Sequence, residues 1–323
     1  MTMPNVRMGA TLITFYNTAW WGLPKHMEYG DWVAEVQSKP KYYFDHMLDS
    51  VAAAGVEGVE LAPIPGGWEG ALQAYGHVAG VRAAFDVRGL TLGSSYADGG
   101  SLIGNALEDS AAEGAADDYI DRHARFVAEM GADIIVMGTV PRAQFSNGSF
   151  DSDVPREASE KVASQINRLG AVAGRHGVRI ALHTDAYSVC SRNHDIDTMM
   201  SLTDPANVEL CLDAGHTTLD GGDAVAVLDA HVGRVPVMHW KDCIAPLDGS
   251  TLSGPLMKRH ETMLKYFRIF GDGIIDWKAW QRVLADNSWR GWAMAENDMA
   301  PDPIAEVRHA VEFFEKELAV IYK

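Results

Sequence analysis

VASQINRLGAVAGRHGVRIALHTD, residues 162–185, is the stretch from which the fold can be read. Val162–His176 reads as an amphipathic helix, Gly177 as the residue that ends it, and Val178–Thr184 as a short β-rich run. A helix that ends in a left-handed turn penalises a β-carbon there, so glycine is the natural choice. The run then stops abruptly at His183, Thr184 and Asp185. Both features of this phrase, the helix–glycine–strand unit and the polar stop, recur along the chain.

The unit appears three times upstream. Met47–Ala54 and Gly55 precede VEGVEL (Val56–Leu61); Val81–Arg88 and Gly89 precede TLGSSY; Tyr119–Met130 and Gly131 precede DIIVMG. Four further runs, at Met8–Phe15, Val208 (VELCLD), Val235 (VPVMHW) and Gly291 (GWAMAE), bring the candidate strands to eight. Runs such as IIVMG and VELCL are apolar on consecutive residues, as strands are when both faces of a parallel sheet are covered. A helical pattern follows each strand, including the last over Pro303–Ile321. Eight alternations at this length predict one closed (β/α)₈ barrel spanning 1–323, an α/β fold. An open doubly wound sheet is the alternative, but no GxGxxG follows any strand to support dinucleotide binding. Two strand-to-helix connections are long, near 141–155 and 243–276, and in a barrel such loops lie on the catalytic face. In the second, Pro255–Phe270 has a helical look and Asp276 is placed to cap a helix over Trp277–Ala285.

Bulk properties narrow the function classes. The 27 Lys+Arg against 44 Asp+Glu give a net charge of −17, which argues against a nucleic-acid partner. Solvated acidic helix faces account for most of that excess. Cys190, Cys211 and Cys243 are odd in number and lack CxxC spacing, so no disulfide framework is expected and Cys211 reads as a buried thiol. Met1–Ala10 shows no basic stretch followed by an apolar core, and no apolar run reaches bilayer-spanning length. The expected address is the cytoplasm, and the Asn147-Gly148-Ser149 acceptor pattern is then a chance match.

The polar stops carry the chemistry. The fifth run ends His183-Thr184-Asp185, the sixth Asp213-Ala214-Gly215-His216, the seventh His239-Trp240-Lys241-Asp242 and the eighth Glu296-Asn297-Asp298; the second ends in Glu60. A lone strand-end Asp is more often a helix cap, and a lone His a packed residue. Four consecutive strands ending this way point the same side chains at one central space. Carboxylates and imidazoles crowded into one cavity repel or desolvate badly without a cation, and mixed O/N donors suit Mn²⁺, Fe²⁺, Co²⁺, Zn²⁺ or Mg²⁺.

GVEGVEL, LCLDAGH, MHWKD, GDGIIDW and the terminal AEND resemble the xylose isomerase-like barrels known as sugar phosphate isomerases/epimerases, from about Val56 to the C-terminus. That superfamily also holds tagatose epimerases, inosose dehydratases, hydroxypyruvate isomerases and C-glycoside deglycosidase catalytic subunits. The resemblance implies one divalent metal, with Mn²⁺ the first expectation, held by Asp213, His239 and Glu296. It also makes His216 a substrate-contacting residue, Glu60 a pocket-facing carboxylate, and Lys241 and Asp242 followers of the seventh-strand ligand. On the fifth strand the epimerases carry a glutamate where this chain has His183, with Asp185 two residues on. Either could be the fourth ligand, with His183 put first. His-x-His tends to occur there in the inosose dehydratase branch. LHTD, followed by Asp195–Asp197, leans that way.

The implied chemistry is proton removal beside a carbonyl, with the metal acting as a Lewis acid. Asp185 is the first candidate base and His216 the second; Glu296 and Lys241 complete the expected catalytic set. Arg142 and Trp240 join Glu60 and His216 as expected substrate contacts, and Trp20, Trp21 and Trp68 are further candidates for stacking on a sugar or aglycone. The expected substrate is a small keto-sugar, keto-polyol or glycoside, with elimination slightly ahead of isomerisation or epimerisation. A homo-oligomer or a small partner subunit fits the same resemblance. Apurinic endonucleases share this barrel but need more metal ligands and a basic face. A non-catalytic sugar-binding barrel is the remaining alternative.

Overall fold

The computed structural model describes residues 5–25, 27–63 and 65–322; Met1–Pro4 of the stretch read for a leader lie outside them. Nine strands occur in chain order: β1 (Val6–Thr11), β2 (Gly58–Leu61), β3 (Thr91–Ala97), β4 (Ile134–Met137), β5 (Arg179–His183), β6 (Val208–Asp213), β7 (Val237–Cys243), β8 (Phe267–Ile269) and β9 (Gly291–Ala295). Strands β1 to β7 and β9 are all parallel, and pairing of β1 with β9 and of β6 with β7 closes them into a ring. The chain is a (β/α)₈ barrel, as the eight-fold phrase predicts. Gly55, Gly89, Gly131 and Gly177 end their helices with positive φ of 91°, 67°, 85° and 71°. Among the described residues, no helix is long and apolar enough to cross a membrane.

Three details depart from expectation. The first run stops being a strand at Thr11, and Leu12–Phe15 curls into a 3₁₀ turn over the barrel mouth. Pro255–Phe270 is helical only over Leu256–Met263; Phe267 and Ile269 then flank Arg268 in the strand β8, which pairs antiparallel with the end of β7. That period of two, apolar–polar–apolar, is a strand pattern that the preceding helix masks. The final helix holds its regular form over Pro303–Phe313 and widens into a π turn at Phe314–Leu318.

The lower barrel is plugged, which confines chemistry to the upper end. Ile134, Val136, Ala181, Cys211, Val237, Trp292 and Met294 fill the interior, so Cys211 is the buried thiol expected. Room for Trp292 and Met294 comes from the opposing strands, where a β-carbon on Gly9, Gly58 or Gly93 would overlap one or both side chains. Helices cover the outside through a far larger apolar layer that includes Phe44, Leu48, Ile120, Ile166 and Trp280.

Candidate metal centre

The site forms where β2, β5, β6, β7 and β9 end. At three of its four central side chains one heteroatom is tied to the protein while the other faces inward, and at the fourth, His183, the outer nitrogen lies close to a carboxylate. His183, the last residue of β5, has Nδ1 2.9 Å from Oδ1 of Asp185 and its Nε2 toward the centre. Asp213, the last of β6, accepts the His216 N–H on Oδ1 at 2.7 Å, capping the short helix Ala214–Leu219. Its Oδ2 is buried and has no hydrogen-bond partner. The helix-cap reading and the ligand reading of this aspartate are therefore both satisfied, one oxygen each.

His239 is held from below. Its Nε2 lies 2.9 Å from Oε1 of Glu60, whose Oε2 accepts the Ser94 hydroxyl at 2.7 Å. Nδ1 of His239 then faces Nε2 of His183 at 3.0 Å, Oδ2 of Asp213 at 3.8 Å and Oε2 of Glu296 at 2.8 Å. The other oxygen of Glu296, Oε1, is ion-paired with Lys241. Thr184 locks the two strand ends together: its hydroxyl donates to the Asp213 carbonyl at 3.2 Å and accepts the Asp213 N–H at 3.0 Å. Among the described residues, His183, Asp213 and His239 form one group whose ligand atoms lie within 4.8 Å of one another; Glu60, His239 and Glu296 form a second, and Asp213, His216 and Glu296 a third.

This donor set fits a divalent cation. Imidazole nitrogens 3.0 Å apart, whose opposite nitrogens face carboxylates, present lone pairs to the same space as a carboxylate oxygen with no hydrogen-bond partner. Carboxylates that grip the far nitrogen of a histidine are the usual means of fixing a metal-binding tautomer. Electrostatics agree with the geometry. Burial alone would lower the His183 pKa, but Asp185 and Asp213 outweigh it and raise it well above the usual value. Burial is likewise outweighed at His239 by Cys211, Glu60 and Glu296. Burial would raise Asp213, yet Lys241 and the neighbouring histidines hold it far below the usual carboxylate range. The centre is thus short of positive charge.

Several expected site residues turn out otherwise. Trp240 follows His239 on a strand, so it points the opposite way and stacks on Phe270 at 4.6 Å outside the barrel. Arg142 is fully buried beneath the loops, ion-paired with Asp220 and, at 3.0 Å, with Asp195, and it does not line the cavity. A desolvated guanidinium needs such carboxylates, and they take it away from substrate. Trp20, Trp21 and Trp68 are also packed, on His46, Tyr43 and His123 respectively. Asp242 faces outward too, accepting the Trp277 indole N–H at 2.7 Å and the Ile275 N–H at 3.3 Å, which joins the MHWKD and GDGIIDW strings structurally. Asp276 caps its helix as expected, accepting the Ala279 N–H.

His216 lines the cavity but both its nitrogens are engaged. Nδ1 accepts the Ala186 N–H at 3.0 Å, and Nε2 faces Nζ of Lys241 at 3.0 Å. Burial, and then the Lys241 charge, push its pKa down to about 3, so it stays neutral. Asp185 remains open to the cavity. Burial would raise its pKa, but His183 more than offsets that and lowers it. The cavity encloses about 780 Å³ and is lined by Glu60, His183, Asp185, His216, His239 and Glu296 at its floor. Phe150, Leu252, Leu256 and Met257 line it as well. Tyr96, the penultimate residue of β3, also lines it, edge-on to His183 at 5.9 Å. Sequence reasoning passed over Tyr96 because the third run ends in an aromatic; the signal was Gly138 on the next strand end, where a β-carbon would overlap its hydroxyl. A second depression of about 400 Å³, between Arg179, Glu209 and Trp289, lies at the opposite end of the barrel and has none of these donors.

The fold and site together define a closed parallel barrel that carries, at its C-terminal mouth and above a plugged core, a buried histidine–carboxylate group that could hold a cation. The chain belongs to the xylose isomerase-like TIM barrel family, whose model matches residues 48–317. An inosose dehydratase of Bacillus licheniformis is 24% identical over 277 residues, covering 82% of this chain and 84% of that protein. An inosose dehydratase of Clostridium perfringens is 30% identical over 195 residues, covering 59% of this chain and 66% of that protein. Among solved structures, a xylose isomerase domain protein from Alicyclobacillus acidocaldarius aligns with a TM-score of 0.63 at 22% identity, covering 86% of this chain and 94% of that one. That last likeness speaks to fold alone.

Proposed function

We propose that this protein is a divalent-metal-dependent enzyme that enolises a keto-sugar or keto-polyol and then eliminates a group β to the carbonyl, as a dehydratase-type lyase. The observation that carries the reading is the tethering pattern. Asp213, His239 and Glu296 each commit one heteroatom to the His216 N–H, Glu60 and Lys241 and turn the other inward, and His183 turns Nε2 inward with Nδ1 2.9 Å from Asp185. These four would hold the metal, with Mn²⁺ the first candidate for a mixed N/O set. A divalent cation held there supplies Lewis-acid polarisation of a substrate carbonyl.

The chain's own residues supply the rest. Asp185 keeps His183 oriented with Oδ1 and has Oδ2 toward the cavity, where it takes the proton from the carbon beside the carbonyl. His216 is held neutral and contributes a fixed polar wall, and Lys241 holds Glu296 in place from behind. Elimination is preferred over return of the proton because the proposed base stands off the metal, and because the curated relatives above are inosose dehydratases.

Metal-reconstituted protein should be incubated in D₂O with inososes, 3-keto-glycosides and ketohexoses. Deuterium at the carbon beside the carbonyl, with an unsaturated product, is the expected result. A rearranged ketose would assign isomerisation instead, and no exchange with any of these compounds would overturn the enolising reading.

A further inference from the structure

Elimination needs a second proton transfer, to the oxygen that leaves; the Thr11 and Thr139 hydroxyls and the Trp32 indole N–H line the cavity without a partner, but they are far weaker acids than a phenol, and several other donors are already used. Tyr16 donates to the Pro63 carbonyl and Tyr187 to the Leu247 carbonyl at 2.6 Å. His260 is paired with Asp298 at 2.8 Å, Ser101 donates to Asp98 at 2.6 Å, and His216 has both nitrogens engaged. Tyr29 stands at the rim, 45% exposed. Tyr96 lies deeper: it lines the cavity from the end of β3, and its ring is fixed edge-on to His183.

A second, independent feature locates the Tyr96 hydroxyl relative to the proposed base. Gly138 lies just past the end of β4, and a β-carbon there would overlap the Tyr96 hydroxyl and stand 2.8 Å from Oδ2 of Asp185. The two groups therefore border one small space that the glycine keeps open. One is a carboxylate oxygen able to take a proton; the other is a phenol, which carries its proton at neutral pH.

We propose that Tyr96 is the acid that protonates the leaving oxygen, working across this space with Asp185; the inference rests on the enolising reading above. Oδ2 of Asp185 takes the proton from the carbon beside the carbonyl, and the C–H electron pair becomes the enolate double bond. As the carbonyl re-forms, those electrons become the new C=C bond and the C–O bond on the β carbon breaks. Its electron pair leaves with the oxygen, which takes the Tyr96 hydroxyl proton. The phenolate is then reprotonated by the proton that Asp185 acquired. The substrate loses water or an alcohol, and no oxidant or reductant is required.

Tyr96→Phe separates the two proton transfers. The probes are methyl and 4-nitrophenyl 3-keto-β-glucosides, which share a ring and differ in how much the leaving oxygen needs a proton. Each is assayed for deuterium exchange beside the carbonyl and for release of the aglycone. Tyr96→Phe should exchange within a few-fold of wild type yet release methanol about 10²–10⁴-fold more slowly, the usual range for a lost general acid. It should release 4-nitrophenolate at close to the wild-type rate, because that group leaves unaided. Equal loss of exchange and release in Tyr96→Phe, or release of methanol at the wild-type rate, would overturn the assignment. If wild type shows no exchange, the enolising reading fails and takes this inference with it. Gly138→Ala, which places a methyl between the two groups, should depress both exchange and release while Mn²⁺ binding persists; wild-type rates in that variant would also count against the shared space.

Discussion

Nζ of Lys241 stands 3.0 Å from Nε2 of His216, a contact between an ammonium and an imidazole at the wall of the centre. The Ala186 N–H points at Nδ1 of the same imidazole, so both ring nitrogens are taken up. The lysine is also ion-paired with Glu296 and, at 2.8 Å, with Asp298. Burial would lower the Lys241 pKa, but these carboxylates outweigh it and keep the side chain charged.

Replacing that charge should expose what it offsets. Lys241→Met leaves Glu296 and Asp298 buried without their cation, a change of the kind that costs ~3–5 kcal/mol. The expected result is a large fall in Tm that added Mn²⁺ recovers more fully than it shifts the wild-type Tm. An unchanged Tm without metal would sink the idea that Lys241 compensates these acids.

The tethers predict graded effects on metal affinity. Glu60→Gln removes the charge that fixes His239 and should weaken Mn²⁺ binding about 10–100-fold, as loss of a ligand-orienting carboxylate usually does. Isothermal titration against Mn²⁺ measures this directly. Equal affinity in wild type and variant would show that Glu60 does not orient His239.

Arg142 distinguishes a positioning role from substrate contact. Arg142→Leu leaves Asp195 and Asp220 buried without their shared partner and should cost ~3–5 kcal/mol in urea unfolding. Were Arg142 a substrate ligand instead, stability would hold and only KM would rise.

His123 gives a pH dependence away from the site. It is fully buried, stacked on Trp68 and 2.7 Å from the Ser95 hydroxyl, and burial lowers its pKa to about 3. In the unfolded chain it takes up a proton near pH 6.5, ahead of the folded state. Its contribution is therefore fully present above about pH 6.5 and is lost as pH falls toward 3, by at most ~1.4 kcal/mol per pH unit. His123→Gln should flatten the stability profile between pH 6 and 4 by up to that slope, read from urea midpoints. A parallel profile in the variant would rule the group out.

Much of the barrel was legible because its signals are local. A helix-ending glycine and a run of consecutive apolar residues are read within about ten positions, as at Gly131 and Ile134–Met137. The central residues were legible for a related reason: strand ends at one face of a barrel converge, so His183, Asp213, His239 and Glu296 meet whatever lies between them. What stayed hidden depends on side-chain direction and on distant partners. Glu60 and Asp185 read as pocket carboxylates, and only the rotamers show each gripping the far nitrogen of a histidine. Arg142 read as a substrate contact because Asp195 and Asp220, 53 and 78 residues away, are not visible from its own loop. Trp240 could have been placed correctly, since its neighbour His239 points inward and strand neighbours alternate.

That alternation on β7 has a consequence for how the protein can change. His239 and Lys241 serve the centre, while Trp240 and Asp242 clasp the Phe270–Trp277 layer outside. Adjacent letters thus belong to separate tracks, one written in chemistry and one in joinery. Inserting or deleting a single residue between 237 and 243 would exchange the tracks, sending an indole into the barrel mouth and an imidazole into the helix layer. Substitutions can be tried on either track independently, but the spacing itself is not free to drift, and length along this strand should be the last thing its descendants vary.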